Sequence, residues 1–510
     1  MDKKIEAFNE YFKNRVTDNI DRYGIPFETD NYKYFYDTGT GKVLQCDEPM
    51  FYLLCHLFEN KGRVNPEEID LTEEELKKAA DELKAAMEEE HIFAAEKFER
   101  FICPHVDNFE ELVGKECKQL ILEVTEKCNL RCRYCIYGDE TKNFRSFSMK
   151  NMTFDIAKKA MDYALTIAGD SMILAFYGGE PLIQYPLVRD CTEYFKEHYK
   201  GEEVSFVLTS NLTLLTEEMA EYFRDNQFLI TCSLDGDEET HNQNRPYCGG
   251  KGSFDDTMRG LKLLVAAYGE DAKEHISINM VVDKPHTMEK FDRMDAFFHS
   301  LTWLPEGMNI TTSYAGRDEW CEQTKLIPNI DIIKNTMGFH DLFGDWVFEK
   351  MRKEQKEILL GSMVKDALLD IHKRVIRDMP VMDCALNGCC VPGNRRLYVT
   401  VDGEFSACER IGNSPSIGNV EEGIDLERVK KYYVDDYMNQ SLENCSNCWA
   451  VQLCGVCYAR GYDKDGLDMK RKKMLCESAR FTLYNALKRY HILLEECPEM
   501  LEAYNEIEIN

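Results

Sequence analysis

The chain has 510 residues, of which 44% are hydrophobic and 30% are charged, and this length suggests about three domains. Its 62 basic and 92 acidic residues give a formal net charge of −30, which argues against a nucleic-acid partner because phosphate binding requires a basic surface. The sequence shows neither an apolar run long enough to cross a membrane nor the apolar core of a signal peptide at its start, so we expect a cytoplasmic protein with no membrane association.

The 21 cysteines are numerous for a chain of this kind. Disulfides are rare in the cytoplasm, so their spacing is expected to reflect metal binding or catalysis.

Residues 1–105 are predicted to form an N-terminal domain. Residues 32–46 indicate a hairpin and residues 49–59 a helix. A capping box at Thr72–Glu75 begins a second helix, and residues 91–94 are expected to return as a strand.

This order of elements is a winged-helix pattern, which often binds DNA. The segment from position 31 to position 100 carries 9 basic and 17 acidic residues, so DNA binding is disfavoured. The domain instead resembles the peptide-recognition element (RRE) of peptide-modifying enzymes, in which a leader peptide adds a strand to the hairpin sheet. A domain that only stabilises the fold is the alternative.

Between residues 117 and 320, short apolar segments alternate with helical stretches. Repeated βα units imply a parallel sheet covered by helices, and active sites in such barrels lie at the carboxyl ends of the strands. Strands are predicted at residues 119–125, 172–177, 204–209, 229–234, 276–282 and 308–313.

A cysteine triplet with Cx3Cx2C spacing, Cys128, Cys132 and Cys135, follows the first of these strands. Three thiolates on one tight loop can hold three irons of a 4Fe–4S cluster and leave the fourth iron open. A structural zinc loop is the alternative, although zinc sites usually have four ligands. The triplet and the motifs after it resemble those of the radical S-adenosylmethionine (SAM) enzymes.

That resemblance implies a partial (β/α)6 TIM barrel and a 4Fe–4S cluster whose open iron binds the amino and carboxylate groups of SAM. It also implies roles for residues at the strand ends. The Gly-Gly-Glu-Pro turn would bind the methionine amino group, and other residues would approach the ribose, the carboxylate and the adenine. Ordinary loop hydrogen bonding is the alternative for Ser210 and Arg245, and a salt bridge at the barrel rim is the alternative for Glu180. The implied cofactor-binding residues are Gly178, Gly179, Glu180, Pro181, Ser210, Asn211, Ser233 and Asp235 (ribose), Arg245 (carboxylate) and Tyr137 (adenine).

Residues 321–383 are predicted to be a helical insertion or bridge, and residues 481–510 a helical acidic tail. Between them, residues 384–480 hold eight cysteines that resemble the SPASM domain of radical SAM enzymes that modify peptides. The resemblance implies two auxiliary 4Fe–4S clusters, and thus three in total. The implied ligands are Cys384, Cys390, Cys408 and Cys457 for the first auxiliary cluster, and Cys445, Cys448, Cys454 and Cys476 for the second.

Two departures from the SPASM pattern bear on this assignment. Only two residues separate Cys454 from Cys457, where the family usually has three, and Cys389 lies beside Cys390. Either departure could change which thiolate binds or leave an open iron. A zinc ribbon is the alternative for the whole region.

In sulfatase-maturing relatives, an aspartate directly after the third cysteine of this region acts as a base. Glu409 occupies that position here, and a second-sphere or surface role is its alternative.

The resemblance covers residues 30–480 and is strongest to thioether-forming maturases of cysteine-rich ribosomal peptides, the sactipeptide and ranthipeptide synthases. It implies an oxidoreductase in which a 5′-deoxyadenosyl radical removes a hydrogen from a peptide carbon, expected to be Cα, and a cysteine sulfur bonds to that carbon. The expected partners are a precursor peptide and an electron donor such as flavodoxin or ferredoxin. The alternatives are attachment at Cβ or Cγ, carbon–carbon crosslinking, formylglycine formation, and a non-enzymatic peptide chaperone or electron carrier.

Overall fold

The computed structural model describes residues 3–16, 19–138, 145–315, 341–381, 383–386, 388–458 and 461–508. Its N-terminal part is an antiparallel sheet of three strands in the order β1-β2-β3, accompanied by three helices. These elements are α1 (Lys3–Arg15), β1 (Gly24–Glu28), β2 (Lys33–Asp37), β3 (Val43–Cys46), α2 (Glu48–Glu59) and α3 (Glu73–Glu89).

The predicted hairpin and the Thr72 capping box are confirmed: β2 pairs with β3, and Thr72 and Glu75 cap each other at the start of α3. The predicted strand at residues 91–94 is wrong. His91 and Phe93 take positive φ angles of 58° and 54°, and the chain turns so that the Phe93 ring stacks on Phe35 at 4.8 Å.

Six parallel strands form the central sheet, in the order β10-β9-β8-β7-β6-β5, and all six predicted strands are confirmed. The strands are β5 (Cys117–Thr125), β6 (Ala168–Gly178), β7 (Glu203–Ser210), β8 (Leu229–Ser233), β9 (Ile276–Val282) and β10 (Asn309–Tyr314), following a short β4 (Phe101–Ile102). The helices of this part are α4 (Pro104–Asp107), α5 (Phe109–Leu112), α6 (Phe154–Thr166), α7 (Tyr185–His198), α8 (Glu217–Asp225), α9 (Glu238–Asn244), α10 (Phe254–Tyr268), α11 (Ala272–His275) and α12 (Met288–Ser300).

The helical prediction for residues 321–383 holds in part. Residues 316–340 lie outside the described residues, and two helices follow them, α13 (Leu342–Glu354) and α14 (Ser362–His372). Val375 and Ile376, which lie in the range predicted to be helical, are instead outside any helix and exposed.

The C-terminal part extends the central sheet, because its strand β12 (Leu397–Val399) pairs in parallel with β5. Its strands β12 and β13 (Glu404–Ser406) pair as an antiparallel hairpin. The strands are β11 (Cys384–Ala385), β12 (Leu397–Val399), β13 (Glu404–Ser406), β14 (Gly418–Asn419), β15 (Gly423–Ile424), β16 (Tyr462–Asp463) and β17 (Gly466–Leu467); the helices are α15 (Leu426–Arg428), α16 (Asp436–Cys445), α17 (Met469–Glu496) and α18 (Glu499–Glu502).

The N-terminal sheet packs against the long helix α17. Phe27 on β1 contacts the His491 ring at a centroid distance of 5.1 Å, and the Tyr34 hydroxyl donates to Glu495 at 2.8 Å. The buried faces of β1 and β2 therefore belong to the same apolar core as the barrel. None of the described helices is long and apolar enough to span a membrane.

Candidate active site

The cysteine triplet lies on the loop that leaves the carboxyl end of β5. Backbone amides turn toward its sulfurs: the Leu130 N–H is 3.4 Å from Cys128 Sγ, and the Tyr137 N–H is 3.5 Å from Cys135 Sγ. Burial raises the pKa of the Cys132 thiol to about 12, although the Arg245 guanidinium opposes this rise. Bound iron would replace these protons, since metal binding requires the thiolate.

A second segment, residues 244–248, fixes this loop from the side of the barrel. The Arg131 N–H donates to Pro246 O at 2.8 Å, the Arg133 N–H to Asn244 O at 3.0 Å, and the Cys248 N–H to Asn129 O at 3.0 Å. These main-chain bonds bring Arg245 next to the triplet.

The Gly-Gly-Glu-Pro turn at the end of β6 packs directly on the start of the same loop. A Cβ at Gly178, which has φ of +135°, would lie 2.2 Å from Thr125 O, and a Cβ at Gly179 would lie 2.1 Å from Lys127 O. Because only glycine permits this approach, the two motifs that the sequence singled out form one structural unit.

Glu180 of this turn is buried, with 1% of its surface exposed. Its carboxylate accepts hydrogen bonds from the Ser210 hydroxyl at 2.7 Å, the Asn211 N–H at 2.9 Å and the Leu182 N–H at 3.0 Å. Burial raises the pKa of Glu180, and these three bonds oppose the rise. Glu180 is thus joined to the strand end of β7, and the salt bridge at the barrel rim is not what the structure shows.

Asp235, after β8, is fully buried and bonded within the protein. It pairs with Arg245 Nε at 3.1 Å, accepts from the Val281 N–H at 3.0 Å and accepts from the Tyr134 hydroxyl. Ser233 is buried at the end of the same strand. The predicted ribose contacts of Ser233 and Asp235, and the carboxylate contact of Arg245, remain predictions.

A buried polar cluster inside the barrel was missed by sequence reasoning. The Tyr137 hydroxyl donates to Glu123, and Arg145 lies 3.7 Å from Glu123 and 4.0 Å over the Tyr398 ring. Arg145 also donates to Ile411 O at 2.9 Å. In the sequence, this cluster is indicated only by the charged residue Glu123 within the apolar part of β5 and by Arg145 after the triplet. Tyr137, predicted near the adenine, is held in this cluster.

Four cysteines of the C-terminal region gather around the start of α17. They are Cys445, Cys448, Cys454 and Cys476; burial is the largest cause that raises the pKa of Cys445 to about 11, and the neighbouring thiols of Cys448 and Cys476 add to this rise. The Lys472 ammonium donates to Cys445 Sγ at 3.5 Å. This set is the one that the resemblance assigns to the second auxiliary cluster.

Cys384 lies beside that group, in one small apolar cluster with Cys445 and Cys448. By contrast, Cys389 is half-buried and lies near Cys457, which also neighbours Cys408. The resemblance assigns Cys384 to the Cys390, Cys408 and Cys457 set. Its ligand role stays a prediction, and Cys389 is the alternative ligand that the structure offers.

Glu409 pairs with Arg396 Nη1 at 2.9 Å, and its second oxygen is buried without a hydrogen-bond partner in the described part of the chain. Burial is the largest cause that raises the pKa of Tyr177, at the end of β6, to about 12. The nearby charges of Glu409 and Cys135 also raise it. Glu409 is therefore on the barrel side of its loop.

The donor sets fit iron–sulfur clusters chemically. The triplet and the Cys445, Cys448, Cys454 and Cys476 set consist of half-buried thiols. Arg245 lies against Cys132 in the first set, and Lys472 lies against Cys445 in the second. Within the described ranges, no three Cys, His, Asp or Glu side chains surround one point as the ligands of a single metal ion would.

Known proteins share this site-bearing region. The family profile described as the Radical SAM superfamily matches residues 122–298, which include the triplet, the Gly-Gly-Glu-Pro turn and the ends of β7 and β8. A cysteine-type anaerobic sulfatase-maturating enzyme of Clostridium perfringens (strain ATCC 13124) is 32% identical over 345 residues, covering 66% of this chain and 86% of that protein. The chain belongs to the radical SAM superfamily.

Other relatives of this radical SAM protein differ in activity. The cysteine-type anaerobic sulfatase-maturating enzyme of Clostridium novyi is 25% identical over 380 residues, 71% of this chain and 93% of that protein. The radical SAM cyclopropyl synthase TigE of Paramaledivibacter caminithermalis is 21% identical over 393 residues, 74% of this chain and 75% of that protein.

Among solved structures, "Native anSMEcpe with bound AdoMet" superposes with a TM-score of 0.53 at 20% identity, covering 77% of this chain and all of that one. This likeness establishes the α/β fold with its central, mainly parallel sheet.

Proposed function

We propose that this protein is a radical SAM maturase that joins a cysteine sulfur to a carbon, expected to be Cα, within a ribosomally made peptide. The observation that carries the proposal is the joining of the triplet loop, the Gly-Gly-Glu-Pro turn and the buried Asp235–Arg245 pair at one end of the barrel. The N-terminal sheet is proposed to bind the leader of the precursor.

The cysteine triplet, Arg245 and Glu180 are proposed to organise the cofactor end. Cys128, Cys132 and Cys135 would hold a 4Fe–4S cluster, with SAM beside it, and these groups supply the radical that removes a carbon-bound hydrogen from the peptide. Arg245, fixed by Asp235, keeps a positive charge against Cys132. Glu180 ties the turn to β7 and so holds the backbone that faces the cofactor in position.

The peptide end is proposed to lie toward β12. Tyr177 and Tyr398 form an edge-to-face pair there with centroids 6.4 Å apart, and these two rings are proposed to help exclude water from the bound peptide. The buried, unbonded oxygen of Glu409 is the candidate acceptor for the proton of the substrate thiol. Crosslinking removes one hydrogen atom from carbon, and one proton and one electron from the thiol; an auxiliary cluster is the proposed acceptor of that electron.

Oxidation of a sulfatase cysteine to formylglycine is the second candidate. The 32% identity to a cysteine-type sulfatase-maturating enzyme and the carboxylate at position 409 favour it. Against it, about three tenths of this chain lies outside the match to the Clostridium novyi enzyme, and the leader-binding role proposed for the N-terminal sheet suits a precursor with a leader.

Peptide mass distinguishes these reactions. Reduced, iron-loaded protein would be incubated with SAM and either a cysteine-rich precursor peptide or a cysteine-containing sulfatase peptide. A thioether lowers the peptide mass by about 2 Da per bridge and blocks alkylation of the joined cysteine, whereas formylglycine formation from cysteine lowers it by about 18 Da. A loss of about 2 Da with every cysteine still alkylatable would favour carbon–carbon crosslinking instead.

Isotope labelling and a variant complete the test. Deuterium at Cα of the acceptor residue should appear in 5′-deoxyadenosine, and its retention with loss from Cβ or Cγ would move the attachment to those carbons. The C128A/C132A/C135A variant should lose about four irons and all SAM cleavage. SAM cleavage that survives this variant would refute the proposal.

A further inference from the structure

Three residues on one face of helix α17 lie at the cysteine set assigned to the second auxiliary cluster. Lys472, Cys476 and Arg480 are four residues apart, so they lie on one face of the helix. Cys476, the single cysteine that this helix contributes, is thus flanked by a cation one turn before it and another one turn after it.

Lys472 is buried, with 3% of its surface exposed. Its ammonium group lies 3.5 Å from Cys445 Sγ, 4.0 Å from Cys476 Sγ and 5.3 Å from the centre of the Tyr437 ring. No carboxylate pairs with it in the described part of the chain, so sulfur atoms and a ring face are its partners. A buried lysine without an anionic partner is costly, which indicates that this position serves an anionic group.

Arg480 supplies the second cation. Its guanidinium lies against Cys448, and its Nε atom is buried without a hydrogen-bond partner among the described residues. Two cations therefore approach three of the four thiols in this group from the same helix.

We propose that Lys472 and Arg480 raise the reduction potential of an iron–sulfur cluster held by Cys445, Cys448, Cys454 and Cys476. Reduction adds negative charge to a site that four thiolates already make anionic, and a buried cation stabilises the reduced form more than the oxidised form. The inference rests on the auxiliary clusters of the proposed function and adds the residues that set the electron affinity of one of them.

The test is a potentiometric titration, followed by electron paramagnetic resonance, of full-length iron-loaded protein in the C128A/C132A/C135A background. We expect Lys472→Met and Arg480→Gln each to move one of the remaining transitions to a more negative potential. The expected change is about tenfold in the ratio of reduced to oxidised cluster at a fixed potential, equal to about 59 mV for one electron. Lys472→Arg, which keeps the charge, should leave the transition near its original position.

Lys473→Met is the matched control, because Lys473 is the exposed neighbour of Lys472 on the same helix, and it should shift nothing. Unchanged potentials in both Lys472→Met and Arg480→Gln at full iron content would overturn the inference. If Lys472→Met instead loses about four irons, retention of those irons by Lys472→Arg supports the role of charge, and their loss in both variants overturns it.

Failure of this inference can be told apart from failure of the proposed function. Unchanged potentials with a crosslinked peptide product would overturn the inference alone. A parent protein that never holds more than about four irons would remove the auxiliary clusters, and the inference with them.

Discussion

Cys384 and Cys389 are the two candidates for one ligand position of the first auxiliary cluster. Cys384 and Cys389 are both near C-terminal cysteines, but buried Cys384 packs with Cys445 and Cys448, whereas half-buried Cys389 lies near Cys457. Burial is the first cause that raises the pKa of both thiols, so each needs a bound metal to lose its proton.

We therefore expect Cys389→Ala to lower the iron content by up to about four irons per chain and Cys384→Ala to leave it near that of the parent protein. Iron and sulfide would be measured after anaerobic reconstitution, with Cys191→Ala as a control, since Cys191 is a buried cysteine on α7 that belongs to neither ligand set. The reverse pattern, with iron lost only from Cys384→Ala, would support the assignment implied by the SPASM resemblance.

The edge strand β3 is the element through which a peptide could add to the N-terminal sheet. In the described residues β3 pairs only with β2. The Asp37 N–H bonds to Lys42 O, and bonded pairs alternate along an antiparallel ladder. The Tyr34–Gln45 pair is therefore unbonded, and the Gln45 N–H faces the open edge.

Gln45→Pro removes this outward N–H without removing a ladder bond, and Gln45→Ala is the matched control that keeps it. We expect the proline variant to bind the full precursor about tenfold more weakly and the alanine variant to bind nearly as the parent does. Binding would be measured by calorimetry or fluorescence anisotropy. Equal affinities for all three proteins would argue against strand addition at β3.

Over the whole molecule, the N-terminal sheet and helix α17 share one buried interface. His491 packs between Phe27 and Tyr34, and burial lowers its pKa to about 4 from the ordinary 6.5. The folded protein therefore keeps this ring neutral, whereas the unfolded chain binds a proton below pH 6.5.

This difference predicts acid destabilisation. The contribution of His491 is complete above about pH 6.5 and is lost as the pH falls toward 4, because protonation favours the unfolded chain. His491→Gln should reduce the loss of unfolding free energy across this range by about 3 kcal/mol. His241, whose pKa burial also lowers to about 4, contributes equally in both proteins.

The measurement is denaturant unfolding at several pH values between about 4 and 7. His198→Gln serves as the control, since His198 is exposed and should leave the pH dependence unchanged. The same slope in His491→Gln and in the parent protein would show that the interface does not depend on this neutral ring.

Local patterns in the sequence were sufficient to predict the six central strands, the N-terminal hairpin and the capping box. The spacing of the triplet, the Thr72 capping box, the glycine-containing hairpin and the six apolar strands each depend on residues within a few positions of one another, and the structure confirms these strands, the hairpin and the cap. The strand expected at residues 91–94 failed because a distant contact, Phe93 on Phe35, favours a turn there.

Only the tertiary structure decided what lies next to what. Several contacts join residues that are far apart in the chain. They are the pairing of β12 with β5, the Glu123–Arg145–Tyr398 cluster, the packing of Cys384 and the packing of the N-terminal sheet against α17. Such contacts leave no periodicity in the sequence, because they depend on the shape of the packed elements rather than on the order of neighbouring residues. The sequence therefore determined the chemistry that the residues carry, and the packing of the barrel determined which of them act together.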